Sequence, residues 1–267
     1  MFHNAINGLA RFEGGEMDYI RFGTGSRNAI ILPGVGDGLR TVKGLAIPFA
    51  ILYRKFAKDF TVYAFSRRRD IASGTTAREM ADDPAKALDS LGLDKVDVVG
   101  VSQGGMIVQW LAIDHPEKVK KLVLAVTISR PNDTLCDVLN RWIGMAEKED
   151  YKSIMKDTAQ RAYSEKWLNS GKEHLMLGNF GRPKSFDRFI TLAASGLTHK
   201  SYDELHRISA PTLIIGGRLD KIVTAKASEE MAEQIPDSRL YMYEDLGHGL
   251  YEEAPDFLDR VADFFLE

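Results

Sequence analysis

Residues 96–112 of this 267-residue chain read Val-Asp-Val-Val-Gly-Val-Ser-Gln-Gly-Gly-Met-Ile-Val-Gln-Trp-Leu-Ala. The mostly apolar first part is typical of a strand buried on both faces of a parallel sheet, and the last seven residues favour a helix. Between them, Gly100, Ser102 and Gly104 form a Gly-x-Ser-x-Gly pattern at a strand–turn–helix junction. A serine at such a turn stands at a helix N-terminus, where backbone N–H groups favour a developing anion. We therefore interpret Ser102 as a nucleophile.

The pattern alone is weak support, because glycine and serine are common residues. The alternative is a tight structural turn with a capping serine. The position between a predicted strand and a predicted helix favours the nucleophile, since a sharp turn leaves no room for Cβ atoms at positions 100 and 104.

The rest of the chain alternates short apolar runs with helical patterns. Beyond 96–101, strands are predicted at 29–32, 60–65, 121–126, 212–216 and 239–243, and a hairpin is predicted from 9–13 and 17–22 around Gly14-Gly15. Helices are predicted at 41–58, 76–91, 103–114, 224–234 and 255–266. This order predicts an α/β fold with a mostly parallel sheet, an N-terminal antiparallel hairpin and helices on both faces.

Residues 129–207 break the alternation, because they carry only helical pieces such as 134–148 and 150–168. We interpret 129–207 as a helical lid inserted into a core made of residues 1–128 and 208–267. A lid there would cover the carboxyl edge of the sheet, where open α/β sheets bind ligands. Trp142, Met145, Tyr163 and Trp167 are candidate substrate contacts, and the alternative is that they fill the core of the lid itself.

A serine hydroxyl needs a base within hydrogen-bond reach, and that base needs a third group to orient it. Asp220 follows the predicted strand 212–216, and His248 follows the predicted strand 239–243. Both loops open at the same edge of the sheet as Ser102. Asp245 is the alternative acid.

These three landmarks resemble those of the α/β-hydrolase superfamily, and the resemblance spans nearly the whole chain. It is similar to the small lid-bearing members: carboxylesterases, enol-lactonases, cofactor-free perhydrolases and carbon–carbon bond hydrolases. The resemblance implies an oxyanion hole made by the backbone N–H groups of Gln103 and Val35. Relatives often carry His-Gly just before the second donor, where this chain has Pro33-Gly34.

Asp37 complicates this oxyanion hole, because a carboxylate aimed into it would repel the anion. We expect Asp37 to point away or to pair with a cation, either Arg40 or one of Arg67, Arg68 and Arg69. The arginines at 67–69 can be interpreted in two ways. They form a solvated loop after a strand, or one of them binds a substrate carboxylate.

The predicted function is a serine hydrolase that cleaves a small-molecule ester or lactone through an acyl-enzyme. One alternative is a carbon–carbon bond hydrolase of a dienone-type substrate, and another is a ligand-binding or receptor protein on the same fold. Serine at position 102 disfavours dehalogenase and epoxide-hydrolase chemistry, which in this superfamily use a carboxylate nucleophile.

Composition restricts partners and compartment. The formal net charge is -3 with mixed signs, which argues against nucleic acid or an anionic membrane as the partner. The single cysteine forms no intrachain disulfide, the first 16 residues lack a signal-peptide core, and no apolar run is long enough to span a membrane. We expect a cytoplasmic monomer or homodimer that acts on a small molecule without metal or cofactor.

Overall fold

A computed structural model of the chain describes residues 4–172 and 182–267. Within these ranges, eight strands form one sheet in the order β1-β2-β4-β3-β5-β6-β7-β8. The strands are β1 (Ile6–Phe12), β2 (Gly15–Phe22), β3 (Arg27–Leu32), β4 (Phe60–Arg68), β5 (Val96–Val101), β6 (Val119–Ala125), β7 (Thr212–Gly217) and β8 (Ser238–Tyr243). Strands β3 to β8 are mutually parallel, whereas β1 and β2 form an antiparallel hairpin that joins β4. The predicted α/β class and sheet type are confirmed.

The sheet is built around β5, all of whose residues are buried. Its neighbours are β3, with Ile30 opposite Val98, and β6, with Leu122 opposite the same residue. The chain leaves β3 toward β4 on one side and returns to β5 on the other. This change of direction opens a crevice at the carboxyl ends of β3 and β5, where α/β folds bind ligands.

Helices cover both faces of the sheet. They are α1 (Ala46–Leu52), α2 (Ala77–Ser90), α3 (Gln103–Asp114), α4 (Asp133–Ala146), α5 (Tyr151–Ala162), α6 (Glu165–Trp167), α7 (Asp187–Leu197), α8 (Ala225–Gln234), α9 (Leu250–Glu253) and α10 (Phe257–Leu266). The core on one face includes side chains of α2, α3 and α8, such as Leu88, Val108 and Met231. The core on the other face includes side chains of α1 and α10, such as Ala50 and Phe265.

The predicted helix at 41–58 is wrong in its extent. The structure has the short α1 (Ala46–Leu52) and a separate 3-10 turn at Phe56–Lys58. Gly44 lies at φ 84°, in the left-handed region. A right-handed helix that started at residue 41 could not continue through it. Pro48 lies in the first turn of α1, the part of a helix where its missing N–H costs least.

Helices α4 to α7 lie in the chain between β6 and β7. They contact the carboxyl edge of the sheet at more than one loop. A Cβ built on Gly38, after β3, would lie 2.5 Å from the Cα of Phe189 in α7, and the Gly249 N–H, after β8, donates to the Ala162 carbonyl of α5 at 2.7 Å. Residues 173–181 of the predicted lid lie outside the described residues, and its boundaries at 129 and 207 stay a prediction.

Among the described residues, no helix combines the length and apolar character needed to cross a lipid bilayer.

Candidate active site

Ser102 lies between the last residue of β5 and the first residue of α3. Its φ of 52° and ψ of -121° place it among the few non-glycine residues with positive φ. Such a conformation costs about 1–3 kcal/mol and persists only where the surroundings fix it. Here the Ser102 carbonyl accepts hydrogen bonds from the Gly105 N–H at 2.8 Å and from the Thr127 hydroxyl at 2.7 Å. The turn therefore holds the side chain at the helix N-terminus.

The two glycines of the motif are required by space. A Cβ on Gly100 would lie 2.3 Å from Val108 Cγ2 and 2.6 Å from the Gly105 Cα, and a Cβ on Gly104 would lie 2.0 Å from the Leu32 carbonyl oxygen. No side chain fits at these distances. This packing agrees with the sequence-based prediction that positions 100 and 104 have no room for a Cβ atom.

The structure brings Ser102, His248 and Asp220 together from three loops. Ser102 Oγ lies 3.0 Å from His248 Nε2, and His248 Nδ1 lies 2.8 Å from Asp220 Oδ2. His248 and Asp220 are 6% and 7% exposed, so the pair is largely shielded from water. Asp245 is exposed, and the carboxylate at His248 Nδ1 belongs to Asp220.

The protonation of this chain of groups follows from the partners. Burial alone would raise the pKa of the Asp220 carboxyl, but His248 and the backbone N–H groups of Ile222 and Val223 bring that pKa below its ordinary value. Those two N–H groups donate to Asp220 Oδ1 at 2.8 and 3.0 Å. Because an ionised carboxylate only accepts, Nδ1 of His248 donates a hydrogen to Asp220, and Nε2 is the ring nitrogen that faces Ser102.

The predicted oxyanion donors begin two adjacent elements. Gln103 is the first residue of α3, and Val35 is the first residue of a 3-10 turn over Val35–Gly38. N–H groups at the start of a helix have no acceptor within it. The loop before Val35 lies close to Ser102, since a Cβ on Gly34 would lie 3.2 Å from the Ser102 Cβ and 3.7 Å from its Oγ.

Asp37 pairs with a cation, as expected, but the cation differs from the predicted candidates. Its Oδ2 accepts from Arg188 Nη2 of α7 at 2.8 Å and from the Arg67 backbone N–H at 2.9 Å. Sequence reasoning missed Arg188, because it lies 151 positions away on the inserted helices and no local pattern links the two residues.

The three consecutive arginines have different surroundings. Arg69 pairs with Asp18 and Glu16, while Arg68 lies 3.6 Å from Asp83 and donates to a carbonyl of the hairpin. Arg67 is 3% exposed, and its Nη2 donates to the Pro33 carbonyl and, at 2.9 Å, to Gln103 Oε1. It therefore contacts both elements that carry the predicted oxyanion donors.

The four candidate substrate contacts lie on or beside the inserted helices. Trp142 is buried and donates from its indole N–H to Asp157 of α5 at 2.9 Å, and Met145 packs partly buried against the same core. The rings of Tyr163 and Trp167 stack at 3.8 Å, and the Tyr163 hydroxyl donates to Glu252 at 2.9 Å. Their contact with substrate stays a prediction.

The family of the chain follows from a match that covers most of its length. The family model described as the alpha/beta hydrolase fold matches residues 30–255. The chain belongs to the α/β-hydrolase family.

Solved structures superpose on this α/β-hydrolase over 97% of its length. An α/β-hydrolase enzyme from a Medee basin deep-sea metagenome library superposes with a TM-score of 0.86 at 21% identity, covering 97% of this chain and 98% of that one. The enol-lactonase from Burkholderia xenovorans LB400 gives 0.83 at 18% identity, covering 97% and 100%.

Curated relatives of this α/β-hydrolase carry names with different activities. A protein of Caulobacter sp. (strain K31), provisionally named a carbamate hydrolase, is 25% identical over 74% of this chain and 75% of its own length. A 2-hydroxy-6-oxononadienedioate/2-hydroxy-6-oxononatrienedioate hydrolase of Pseudomonas putida is 27% identical over 96% of this chain and 95% of its own. The two relatives are both named as hydrolases, and the substrates in their names differ.

Within residues 4–172 and 182–267 of this α/β-hydrolase, no group of three or more His, Cys, Asp or Glu side chains is placed to hold a metal ion.

Proposed function

We propose that this α/β-hydrolase is a serine hydrolase that cleaves a small-molecule ester or lactone through an acyl-enzyme on Ser102. One observation carries the proposal: a continuous hydrogen-bonded chain runs from Ser102 Oγ through both ring nitrogens of His248 to Asp220, with distances of 3.0 and 2.8 Å. A nucleophile, a base and an orienting group within these distances are what activation of a serine hydroxyl requires.

In the first half of the proposed reaction, His248 Nε2 takes the Ser102 proton while Oγ bonds to the carbonyl carbon of the substrate. The carbonyl oxygen becomes an oxyanion, which we expect the N–H groups of Gln103 and Val35 to stabilise, since these residues begin α3 and the 3-10 turn. The tetrahedral species then expels the alkoxide, which takes the proton from His248. Ionised Asp220 stabilises the transient imidazolium, because its pKa stays low despite burial.

In the second half, His248 removes a proton from water as the water oxygen bonds to the acyl carbon. The second tetrahedral species releases Ser102, which regains its proton from His248. The net change is the addition of one water across the ester or lactone bond. His248 thus acts as base and acid in each half, and the same two backbone donors serve both oxyanions.

Carbon–carbon bond hydrolysis is the second candidate. One relative from Pseudomonas putida is named as a 2-hydroxy-6-oxononadienedioate/2-hydroxy-6-oxononatrienedioate hydrolase, and its alignment covers 96% of this chain. This match favours carbon–carbon bond hydrolysis as the second candidate. Here the bond broken would join two carbons of a dienone-type substrate. Water would supply OH to the carbonyl carbon, which leaves as a carboxylic acid, and a hydrogen to the other carbon, which leaves with a new C–H bond. A dienone substrate tested beside simple esters separates the two reactions by their products.

The experiment compares purified wild-type protein with Ser102→Ala on p-nitrophenyl butyrate, a simple lactone and a dienone. We expect wild-type turnover of the ester or lactone, and a fall in kcat on the order of a million-fold for Ser102→Ala. Ser90→Ala is the matched control, because its hydroxyl bonds only a carbonyl of its own helix α2. Wild-type protein that cleaves only the dienone would support the second candidate, and no turnover of any substrate would support a ligand-binding role.

A further inference from the structure

Arg67 occupies an unusual position behind the predicted oxyanion hole. It is the penultimate residue of β4, and its side chain is almost completely buried at the carboxyl edge of the sheet. Burial lowers the pKa of Arg67 to about 10, against the attraction of Asp37 and with added repulsion from Arg188. Arg67 therefore remains a cation at neutral pH. A buried cation is costly unless its surroundings compensate it, so its retention needs a reason.

The side-chain contacts of Arg67 reach both halves of the hole. Its Nη2 donates to the Pro33 carbonyl, two residues before Val35, and to Oε1 of Gln103 at 2.9 Å. The Arg67 backbone N–H also donates to Asp37 in the same 3-10 turn that begins at Val35. One residue thus ties the loop after β3 to the first residue of α3.

Gln103 is held from the opposite side as well. Its Nε2 donates to the Leu192 carbonyl at 2.8 Å and to the Ser195 hydroxyl at 3.0 Å, both in α7. Arg67 on Oε1 and α7 on Nε2 thus hold the side chain of Gln103 from two sides, and Gln103 is 2% exposed.

The hydrogen bonding of Arg67 itself is incomplete. Among the described residues, neither Nε nor Nη1 of Arg67 has a hydrogen-bond partner, although both atoms are buried. The side-chain hydrogen bonds that Arg67 makes to described residues all come from Nη2, and they go to Pro33 and Gln103.

From these contacts we propose that Arg67 is a positioning residue that sets the distance between the Val35 and Gln103 N–H groups and so organises the oxyanion hole. This inference rests on the proposed function. It differs from the sequence-based interpretation that an arginine of this cluster binds a substrate carboxylate, since here Arg67 acts through protein groups. The predicted consequence is stronger binding of the tetrahedral species, with little effect on binding of the planar substrate.

The test measures p-nitrophenyl butyrate kinetics and inhibition by a matched pair of ketones in wild type, Arg67→Met and Arg67→Lys. A trifluoromethyl ketone forms a tetrahedral oxyanion adduct with the serine, whereas the corresponding methyl ketone binds without adding. For Arg67→Met we expect kcat to fall about 100-fold, with weaker trifluoromethyl ketone binding and unchanged KM and methyl ketone binding. Arg67→Lys, which can still donate to both acceptors, should recover roughly tenfold of this loss.

Arg27→Met is the control for the loss of a partly buried arginine. Arg27 pairs with the buried Asp97 at 3.1 Å near the start of β3, away from the carboxyl edge. Arg27→Met should lower the melting temperature, and it should leave the inhibition constants of both ketones unchanged. If Arg67→Met does not fold, Gln103→Met carries the test, since it removes the bridged side chain and keeps the backbone N–H.

The inference is overturned if the Arg67 variants raise KM with kcat unchanged, which would indicate a substrate contact. Equal weakening of both ketones, or a fall in kcat that matches a fall in the fraction of titratable Ser102, would overturn it too. Failure of the proposed function looks different, because wild-type protein would then neither turn over the ester nor form the trifluoromethyl ketone adduct.

Discussion

At the scale of single residues, the site depends on a strained backbone that its neighbours enforce. Ser102 has a positive φ, and the helix that begins after it passes so close to β3 that residue 104 must be glycine. The cost of this conformation, about 1–3 kcal/mol, is offset by bonds to the Ser102 carbonyl from Gly105 and Thr127. Packing at this junction therefore supports the orientation of Ser102, the proposed nucleophile.

Gly104→Ala tests this packing. The new Cβ would lie 2.0 Å from the Leu32 carbonyl oxygen and 2.6 Å from that of Pro33, and backbone atoms cannot move aside cheaply. We expect a loss of at least about 2 kcal/mol in the free energy of unfolding, measured by urea denaturation, together with loss of activity. Gly144→Ala is the matched control, because Gly144 is also helical but faces open space, and alanine there should stabilise α4 by about 0.5–1 kcal/mol. Equal stability of the two variants would contradict this account.

Individual residues differed in how far the sequence could reveal them. Ser102, Asp220 and His248 each follow a predicted strand, so parallel-sheet geometry was enough to bring their loops to one edge. The salt bridge from Asp37 to Arg188 could not be predicted, because it depends on how α7 packs across the sheet edge. The same holds for Arg67, whose neighbours suggested a solvated loop, whereas its side chain is buried.

At the scale of elements, α7 is the part of the inserted helices that is bonded most directly to the site. Arg188 bonds Asp37 and the carbonyls of Arg67 and Arg68, and the Leu192 carbonyl accepts from Gln103. These bonds join α7 to the loop after β3, to the end of β4 and to the start of α3. Displacement of α7 would therefore disturb both predicted oxyanion donors.

Arg188→Met should remove the main bond between these elements. The Asp37 side chain is fully buried, so loss of its ion-pair partner Arg188 should cost about 3 kcal/mol in unfolding free energy, even though the Arg67 N–H still donates to Asp37. Asp37→Asn/Arg188→Met should recover part of that loss, which a double-mutant cycle in urea measures as coupling. Arg182→Met, whose partner Glu149 is exposed, should change stability by less than about 0.5 kcal/mol. The absence of coupling between Asp37 and Arg188 would refute this role of α7.

Elements were predicted best where hydrophobic patterning and tertiary packing agree. The fully buried β5 and the amphipathic α10 were both predicted within about two residues, since each has one strong pattern and clear ends. The predicted helix at 41–58 started too early because Gly44 has a positive φ and Pro48 lies in the first turn of α1, and the structure ends α1 at Leu52. The lid boundaries at 129 and 207 stay predictions.

At the scale of the whole molecule, the two connections between the sheet and the inserted helices meet in a buried polar cluster. Ser129, on the way out, accepts at its carbonyl from the Ser201 N–H at 2.8 Å, on the way back. The Ser201 hydroxyl donates to Gln109 of α3 at 2.6 Å and lies 3.2 Å from His199 Nε2. His199 is 2% exposed and packs edge-on against Trp110, so the cluster links the insertion to the core.

Burial lowers the pKa of His199 to about 3, which makes stability depend on pH. An unfolded histidine binds its proton near pH 6.5, so between pH 6.5 and 3 the unfolded chain holds the extra proton and stability falls as pH falls. Between pH 7 and pH 5 this one group should lower the free energy of unfolding by about 2 kcal/mol. His199→Gln should remove that part of the pH dependence in urea titrations at the two pH values. If the unfolding free energy changed equally between pH 7 and pH 5 in wild type and His199→Gln, His199 would not be held neutral in the folded state.

The central claim is that Ser102 is a nucleophile activated by His248 and oriented by Asp220. The most direct measurement is mass spectrometry of the protein after reaction with a fluorophosphonate, which bonds irreversibly to an activated serine. We expect one phosphonyl group per chain, on the peptide that contains Ser102, with labelling abolished in Ser102→Ala and strongly slowed in His248→Ala. No label on wild-type protein, or a label that persists in Ser102→Ala, would contradict the claim.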